Sequence, residues 1–161
     1  MVPDKAVFLL IDDNEDDIAL LRRAFLKSRV INPLHAVRSG AEAMAYLEGS
    51  GRYRNRLEFP LPKIILLDIK MQVISGLEVL KWIREQPQLA GIRVIMLTSS
   101  DLIRDVNEAY RLGANSFLIK PNDFDDLVKL TQAIRGYWVW TDVGPQISAH
   151  DHEREPRYSG P

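Results

Sequence analysis

Ala6-Val7-Phe8-Leu9-Leu10-Ile11-Asp12-Asp13-Asn14 is six apolar residues running without a break into two carboxylates and an amide. A strand with one wet face alternates polar and apolar side chains. A short run with no polar residue reads instead as a strand covered on both faces, as in a parallel sheet. Asp12-Asp13-Asn14 breaks that strand and suits the cap of a helix. Over Asp16 to Lys27, Ile18, Leu21 and Phe25 then fall at helical spacing. Arg22, Arg23 and Lys27 lie toward the C-terminal end, where the helix dipole favours cations.

Four more units of this kind follow. A weaker strand over Leu34 to Val37 leads through Ser39-Gly40 into a helix with Ala43, Met44 and Leu47 on one face, closed by Gly49-Ser50-Gly51. Arg52 to Lys63, with Pro60 and Pro62, reads as a long loop. Ile64 to Leu67 is a strand ending at Asp68, and Gly76 begins a helix carrying Leu77, Leu80 and Ile83 that Pro87 stops. Arg93 to Leu97 ends at Thr98-Ser99-Ser100. The helix after it has Ile103, Val106 and Tyr110 on a stripe and Gly113 as its C′ residue. Ser116 to Ile119 ends at Lys120-Pro121, and Asp123 caps a last helix in which Leu127, Leu130 and Ile134 repeat. Strand and helix alternating five times imply an α/β fold with one five-stranded parallel sheet and right-handed crossovers.

Composition narrows the function. The 161 residues are 46% hydrophobic and 27% charged, enough for one domain with a real core. The formal net charge of −1 gives no global attraction to nucleic acid or anionic membrane. With no cysteine there is no disulfide framework, no Cys-based zinc site and no thiol nucleophile. The N-terminal apolar run is too short for a signal sequence or a membrane span, so the protein is expected to be soluble and cytoplasmic. Residues 1–140 are expected to form the domain, with the aromatic Gly136-Tyr137-Trp138-Val139-Trp140 extending the final helix. Residues 141–161 are polar and proline-bearing and read as a flexible tail.

In open α/β sheets ligands bind beyond the carboxyl ends of the strands. The polar residues at those ends are Asp12 and Asp13, Asp68, Thr98 and Lys120. Each has an ordinary reading by itself: a helix cap for the acidic pair, a loop-entry turn for Asp68, a strand-end Thr98 and a solvated Lys120. Together they are three carboxylates, a hydroxyl and an amine expected at one edge. Three crowded carboxylates call for a hard divalent cation, and Mg²⁺ takes oxygen ligands, phosphate oxygens among them. A carboxylate beside it can attack a phosphoryl group and form an aspartyl phosphate. Lys120 offers charge and Thr98 a hydrogen bond to the phosphoryl oxygens.

Leu9-Leu10-Ile11-Asp12-Asp13, Ile65-Leu66-Leu67-Asp68, Gly76, Leu97-Thr98-Ser99, Gly113-Ala114 and Lys120-Pro121 together resemble the response-regulator receiver family. The intervals 68 to 76, 68 to 98 and 68 to 120 match it, over about Ala6 to Ile134. The resemblance implies a doubly wound, flavodoxin-like (βα)5 receiver fold and a two-component phosphorelay. It implies Asp68 as phosphoacceptor, Asp13 as direct Mg²⁺ ligand, Asp12 as its acidic neighbour and the Lys70 backbone carbonyl as a further ligand. It assigns Thr98 and Lys120 to the phosphoryl group and Phe117 to the switch aromatic, although Phe117 reads equally as core. It also implies a cis Lys120-Pro121 bond. The Arg52 to Lys63 loop, Ser99-Ser100-Asp101, Gly113 to Phe117 and the Tyr137-Trp138 ending are similar to regulators partnered with bacteriophytochrome-type histidine kinases. The ~25 residues after Ile134 are too few for an output domain.

Two places depart from the family. It usually has Pro four residues after the acceptor and an acidic residue before the glycine, where this chain has Gln72 and Ser75. Without Pro the loop carrying the Lys70 carbonyl is less restricted. These departures keep open a pseudo-receiver that binds partners without phosphorylation. An aspartate-nucleophile phosphatase needs Asp-x-Asp after the first strand, and here Asp12 is followed two positions later by Asn14. Arg52, Arg54 and Arg56 read as a solvated loop, His150 and His152 as tail residues too few for a metal, and His35 as an ordinary strand residue. The apolar positions of the last two helices and the aromatic ending suggest a homodimer.

Overall fold

The protein is described by a computed structural model covering residues 6–99 and 102–136. In chain order its elements are β1 (Phe8–Ile11), α1 (Glu15–Lys27), β2 (Leu34–Val37), α2 (Gly40–Glu48), β3 (Ile64–Leu67), α3 (Gly76–Glu85), β4 (Arg93–Thr98), α4 (Ile103–Arg111), β5 (Ser116–Ile119) and α5 (Phe124–Ile134). Single 3₁₀ turns occupy Gly51–Tyr53 and Pro87–Leu89. All strand pairs are parallel, in the spatial order β2-β1-β3-β4-β5. The chain reverses its direction across the sheet between β1 and β3, the switch point at which such sheets bind ligands.

The unbroken apolar runs follow from a sheet covered on both faces. Leu9, Ile11, Ile65, Leu67, Val94 and Met96 pack with side chains of α2, α3 and α4. The residues between them, Phe8, Leu10, Ile64, Leu66, Ile95 and Leu97, pack with α1 and α5. Each fully buried side chain of this size contributes about 1.5–3 kcal/mol, so the two layers dominate stability. Register then builds the functional edge. Ile11 pairs with Leu67, so Asp12 and Asp68 leave neighbouring strands side by side. Thr98 pairs with Ile119, which puts Lys120 one residue beyond that pair.

Several expectations are corrected. Phe8, not Ala6, begins the first strand, and Thr98 lies inside the fourth. Helix α1 begins at Glu15, and its cap is Asn14, whose side chain accepts the Asp17 N–H at 3.0 Å. That leaves Asp12 and Asp13 free of the capping duty. The α4 stripe faces outward: Ile103 is 77% and Tyr110 49% exposed, and Ala109 alone on that helix is buried. The helix neighbours β5 and α3, and Ala109 is the residue it contributes to the core.

The 51–63 segment is not a slack loop. Tyr53 is buried, and Arg56, expected to be solvated, donates to the carbonyls of Tyr46 at 2.7 Å, Leu47 at 2.8 Å and Phe59 at 3.2 Å. It thereby ties the 51–63 segment to the C-terminal carbonyls of α2, of which Tyr46 also accepts the Gly49 N–H at 3.1 Å. Arg52 and Arg54 are exposed as expected. No helix of the described residues is long and apolar enough to cross a membrane. Ser100, Asp101, the Tyr137–Trp140 ending, the tail histidines and the 140/141 boundary lie outside the described residues.

Candidate functional site

The strand ends meet as the alternation predicts. Ligand oxygens of Asp12, Asp13 and Asp68 all lie within 4.8 Å of one another. Lys120 reaches into them: its Nζ donates to Asp12 Oδ2 at 2.6 Å, Asp17 Oδ2 at 3.0 Å and Asp68 Oδ2 at 3.3 Å. Three carboxylates thus share one ammonium with Asp13 beside them, an excess of negative charge in a partly buried cleft. Burial alone would push the Lys120 ammonium toward neutrality. The hydrogen bond to Asp12 and the charges of Asp68 and Asp12 overcome it and hold Lys120 well above the usual lysine range. Burial raises Asp12 above the ordinary carboxylate value and the Asp68 charge adds to it, against the hydrogen bonds from Lys120 and Asn14. One lysine does not neutralise this group.

Asp68 Oδ1 is buried and finds no hydrogen-bond partner. An orphaned carboxylate oxygen costs about 1–3 kcal/mol or more, and a cation or a reacting group would satisfy it. The donor set is all oxygen, which suits a hard divalent ion rather than a soft one. The residues present fit a divalent metal.

The loop after Asp68 wraps the other side. Gly76 approaches so closely that an added Cβ would lie 1.9 Å from the Asp68 carbonyl oxygen. Only glycine admits that contact. Ser75, in place of an acidic residue, caps α3 in a full capping box with Glu78. Gln72, in place of proline, gives its backbone N–H to Asp13 Oδ2 at 3.2 Å. Val73 next to it is fully exposed at φ +69°.

Thr98 is fully buried at the end of β4, and its carbonyl accepts the Lys120 N–H at 2.8 Å. That bond aims Lys120 into the cleft with a trans Lys120-Pro121 peptide, contrary to the expected cis form. Trans is the lower-energy isomer, and the strand end already directs the side chain. Phe117 is not in the carboxylate cluster. It is half-buried against the α2–α4 side of the core, with its N–H donated to the Tyr110 hydroxyl at 3.2 Å. Two participants escape a reading by strand ends: Asp17, one helical turn past the acidic pair, and the Gln72 N–H. The run Glu15-Asp16-Asp17 carried the first signal, but a carboxylate there looks like ordinary helix-dipole chemistry. Nothing in the sequence marks a backbone donor.

Residues 8–132 match the response regulator receiver domain family. The chain belongs to that family. This receiver domain is 36% identical over 139 residues to the response regulator Rcp1 of Synechocystis sp., spanning 86% of this chain and 92% of that protein. Among solved structures, the phosphorylated cyanobacterial phytochrome response regulator RcpA has a TM-score of 0.81 at 33% identity, covering 89% of this chain and all of that one. The Mn²⁺-bound form of Rcp1 has a TM-score of 0.77 at 35% identity, covering 88% of this chain and 99% of that one. The doubly wound five-stranded fold is that of this family, and the protein is a response regulator of two-component signalling.

Proposed function

We propose that this receiver domain takes a phosphoryl group from the phosphohistidine of a sensor histidine kinase onto Asp68, and that the event switches its surface for a partner. The observation that supports it is the buried Asp68 Oδ1 without a hydrogen-bond partner, while Oδ2 is held by Lys120. A carboxylate oxygen of Asp68 attacks phosphorus, an oxygen–phosphorus bond forms and the phosphorus–nitrogen bond of the donor breaks. The electron pair leaves on the donor imidazole. Lys120 neutralises one phosphoryl oxygen and the Thr98 hydroxyl hydrogen-bonds another, since transfer needs alignment and charge neutralisation more than covalent help.

Asp12, Asp13, Asp68 and the Lys70 carbonyl would hold Mg²⁺, which supplies positive charge to the phosphoryl oxygens when bound. Thr98 and Phe117 then form the switch: Thr98 shifts toward the phosphoryl group and the half-buried Phe117 ring turns into the space it leaves. The protein catalyses its own modification rather than turning over a substrate, and it works in the cytoplasm. Its solved relatives include the cyanobacterial phytochrome response regulator RcpA and the bacteriophytochrome response regulator AtBRR, and they support a phytochrome-type kinase as donor. Exposed Leu102, Ile103 and Tyr110 at α4, with Ile119 at the end of β5, support a homodimer through the last two helices; the aromatic ending expected to join it lies outside the described residues. Light scattering at high micromolar concentration tests that assembly, and a monomer mass would refute it.

The direct test is phosphotransfer from a phosphorylated kinase, or labelling by acetyl phosphate, on wild type and Asp68→Asn. Wild type is expected to take the label and Asp68→Asn to take none. Equal labelling of both would overturn the assignment.

A further inference from the structure

Lys120 sits in a closed ring of hydrogen bonds that the two-strand edge alone does not require. Its Nζ donates to Asp12 Oδ2, Asp12 Oδ1 accepts the Asn14 N–H at 2.9 Å, Asn14 Oδ1 accepts the Asp17 N–H at 3.0 Å, and Asp17 Oδ2 accepts from Lys120 again. An ammonium has three protons. Here two go to carboxylates outside the reacting bond, at 2.6 and 3.0 Å, and the third goes to Asp68 at the longest distance, 3.3 Å. The weakest of the three bonds is the one a phosphoryl oxygen would have to take over.

We propose that Asp17 is a positioning residue for phosphoryl transfer: with Asp12 it anchors the Lys120 ammonium at two points, so that its third proton faces Asp68 and the incoming phosphoryl group. This rests on Asp68 being the acceptor. Asp17 itself touches neither the acceptor carboxylate nor the cluster of metal-ligating oxygens, and it acts through the lysine. Without Asp17 the flexible four-carbon stem would keep only one anchor, Asp12, besides the long bond to Asp68 itself, and would sample more rotamers. A second bond, fixed to the capped first turn of α1, removes that freedom before the reaction. Asp17 is partly exposed, so the gain per bond is that of a solvated pair rather than a buried one.

The test compares Asp17→Ala, which deletes the acceptor, with Asp17→Asn, which deletes the charge and keeps an oxygen on the lysine. Labelling by acetyl phosphate at saturating Mg²⁺ is expected to slow roughly 3- to 5-fold in Asp17→Ala and to stay near wild type in Asp17→Asn. Both variants lose the same charge, so any loss of Mg²⁺ affinity is common to them and is removed by saturation. The second readout uses neither metal nor phosphate: the ¹⁵N–¹H signal of the Lys120 ammonium, assigned with Lys120→Arg. It is expected to be protected from exchange in wild type and Asp17→Asn and lost in Asp17→Ala. Equal slowing in both variants would reduce Asp17 to a charge effect and overturn the proposal. So would a wild-type rate and a protected ammonium in Asp17→Ala. Failure of the acceptor reading is separate: it shows as labelling of Asp68→Asn, whatever Asp17 does.

Discussion

The backbone N–H of Gln72 donates to Asp13 Oδ2 at 3.2 Å, a bond that a proline at position 72 has no hydrogen to make. The departure that looked like a weakness of the loop is thus a tether on a carboxylate of the acidic cluster, the one proposed to hold the metal. Gln72→Ala keeps the N–H and is expected to bind Mg²⁺ like wild type in calorimetric titration. Gln72→Pro is expected to bind it about fivefold more weakly, the value of one ordinary hydrogen bond. Equal affinities in the two variants would show that the tether contributes nothing.

Val73 holds φ +69° with its side chain fully exposed. A β-branched residue is poorly suited to that region, and no packing of the side chain offsets the strain. Val73→Gly is expected to stabilise the fold by about 1 kcal/mol, the relief being partly offset by the greater freedom of glycine in the unfolded chain. A urea midpoint that does not rise would contradict this.

Gly76→Ala acts in the opposite sense. The added methyl would press on the Asp68 carbonyl oxygen, a backbone atom one residue past β3 whose own N–H is bonded to the Ile11 carbonyl at 3.0 Å. A loss of about 3 kcal/mol or more in chemical denaturation is expected. A near-neutral result would mean that α3 can shift away from the acceptor loop.

Lys70 is exposed two residues past the acceptor. An ammonium cannot accept a proton from attacking water, whereas a carboxylate there can. The phosphorylated wild type is therefore expected to outlive phosphorylated Lys70→Glu. Decay of the label, followed in both after removal of the donor, decides it; a shorter wild-type half-life would be the opposite of the expectation.

His35 packs its ring against Tyr46 at 5.9 Å and Phe59 at 6.0 Å between centroids. Burial, aided by the Arg22 charge, holds it below the ordinary histidine value of 6.5. The unfolded chain therefore binds the proton first, and stability falls as pH drops from about 6.5 toward the folded-state value. Above pH 7 the group is neutral in both states and adds no slope. His35→Phe keeps the ring and is expected to flatten the dependence of the urea midpoint between pH 7.5 and 5.5. An unchanged slope would assign the effect elsewhere.

The alternation of apolar runs with helical stripes was enough to order five strands and five helices, because a strand buried on both faces leaves no polar position to disguise it. β2, an edge strand interrupted by His35, was the faintest, because a titratable residue breaks its apolar run. Asp12, Asp13, Asp68, Thr98 and Lys120 were legible because the fold rule assigns strand ends to the site whatever the distances. Three things depended on packing. The outward turn of α4 arose because apolar spacing says which residues share a face and not what that face meets. Arg56 became structural because the 51–63 segment folds back on the end of α2. The closure of Lys120, Asp12, Asn14 and Asp17 into one ring needed a strand and a helix start 103 residues apart to meet. Local chemistry along the chain determined the elements and the reacting groups. Which lysine proton faces Asp68, and which backbone N–H steadies Asp13, are matters of ångströms that register and loop path alone decide.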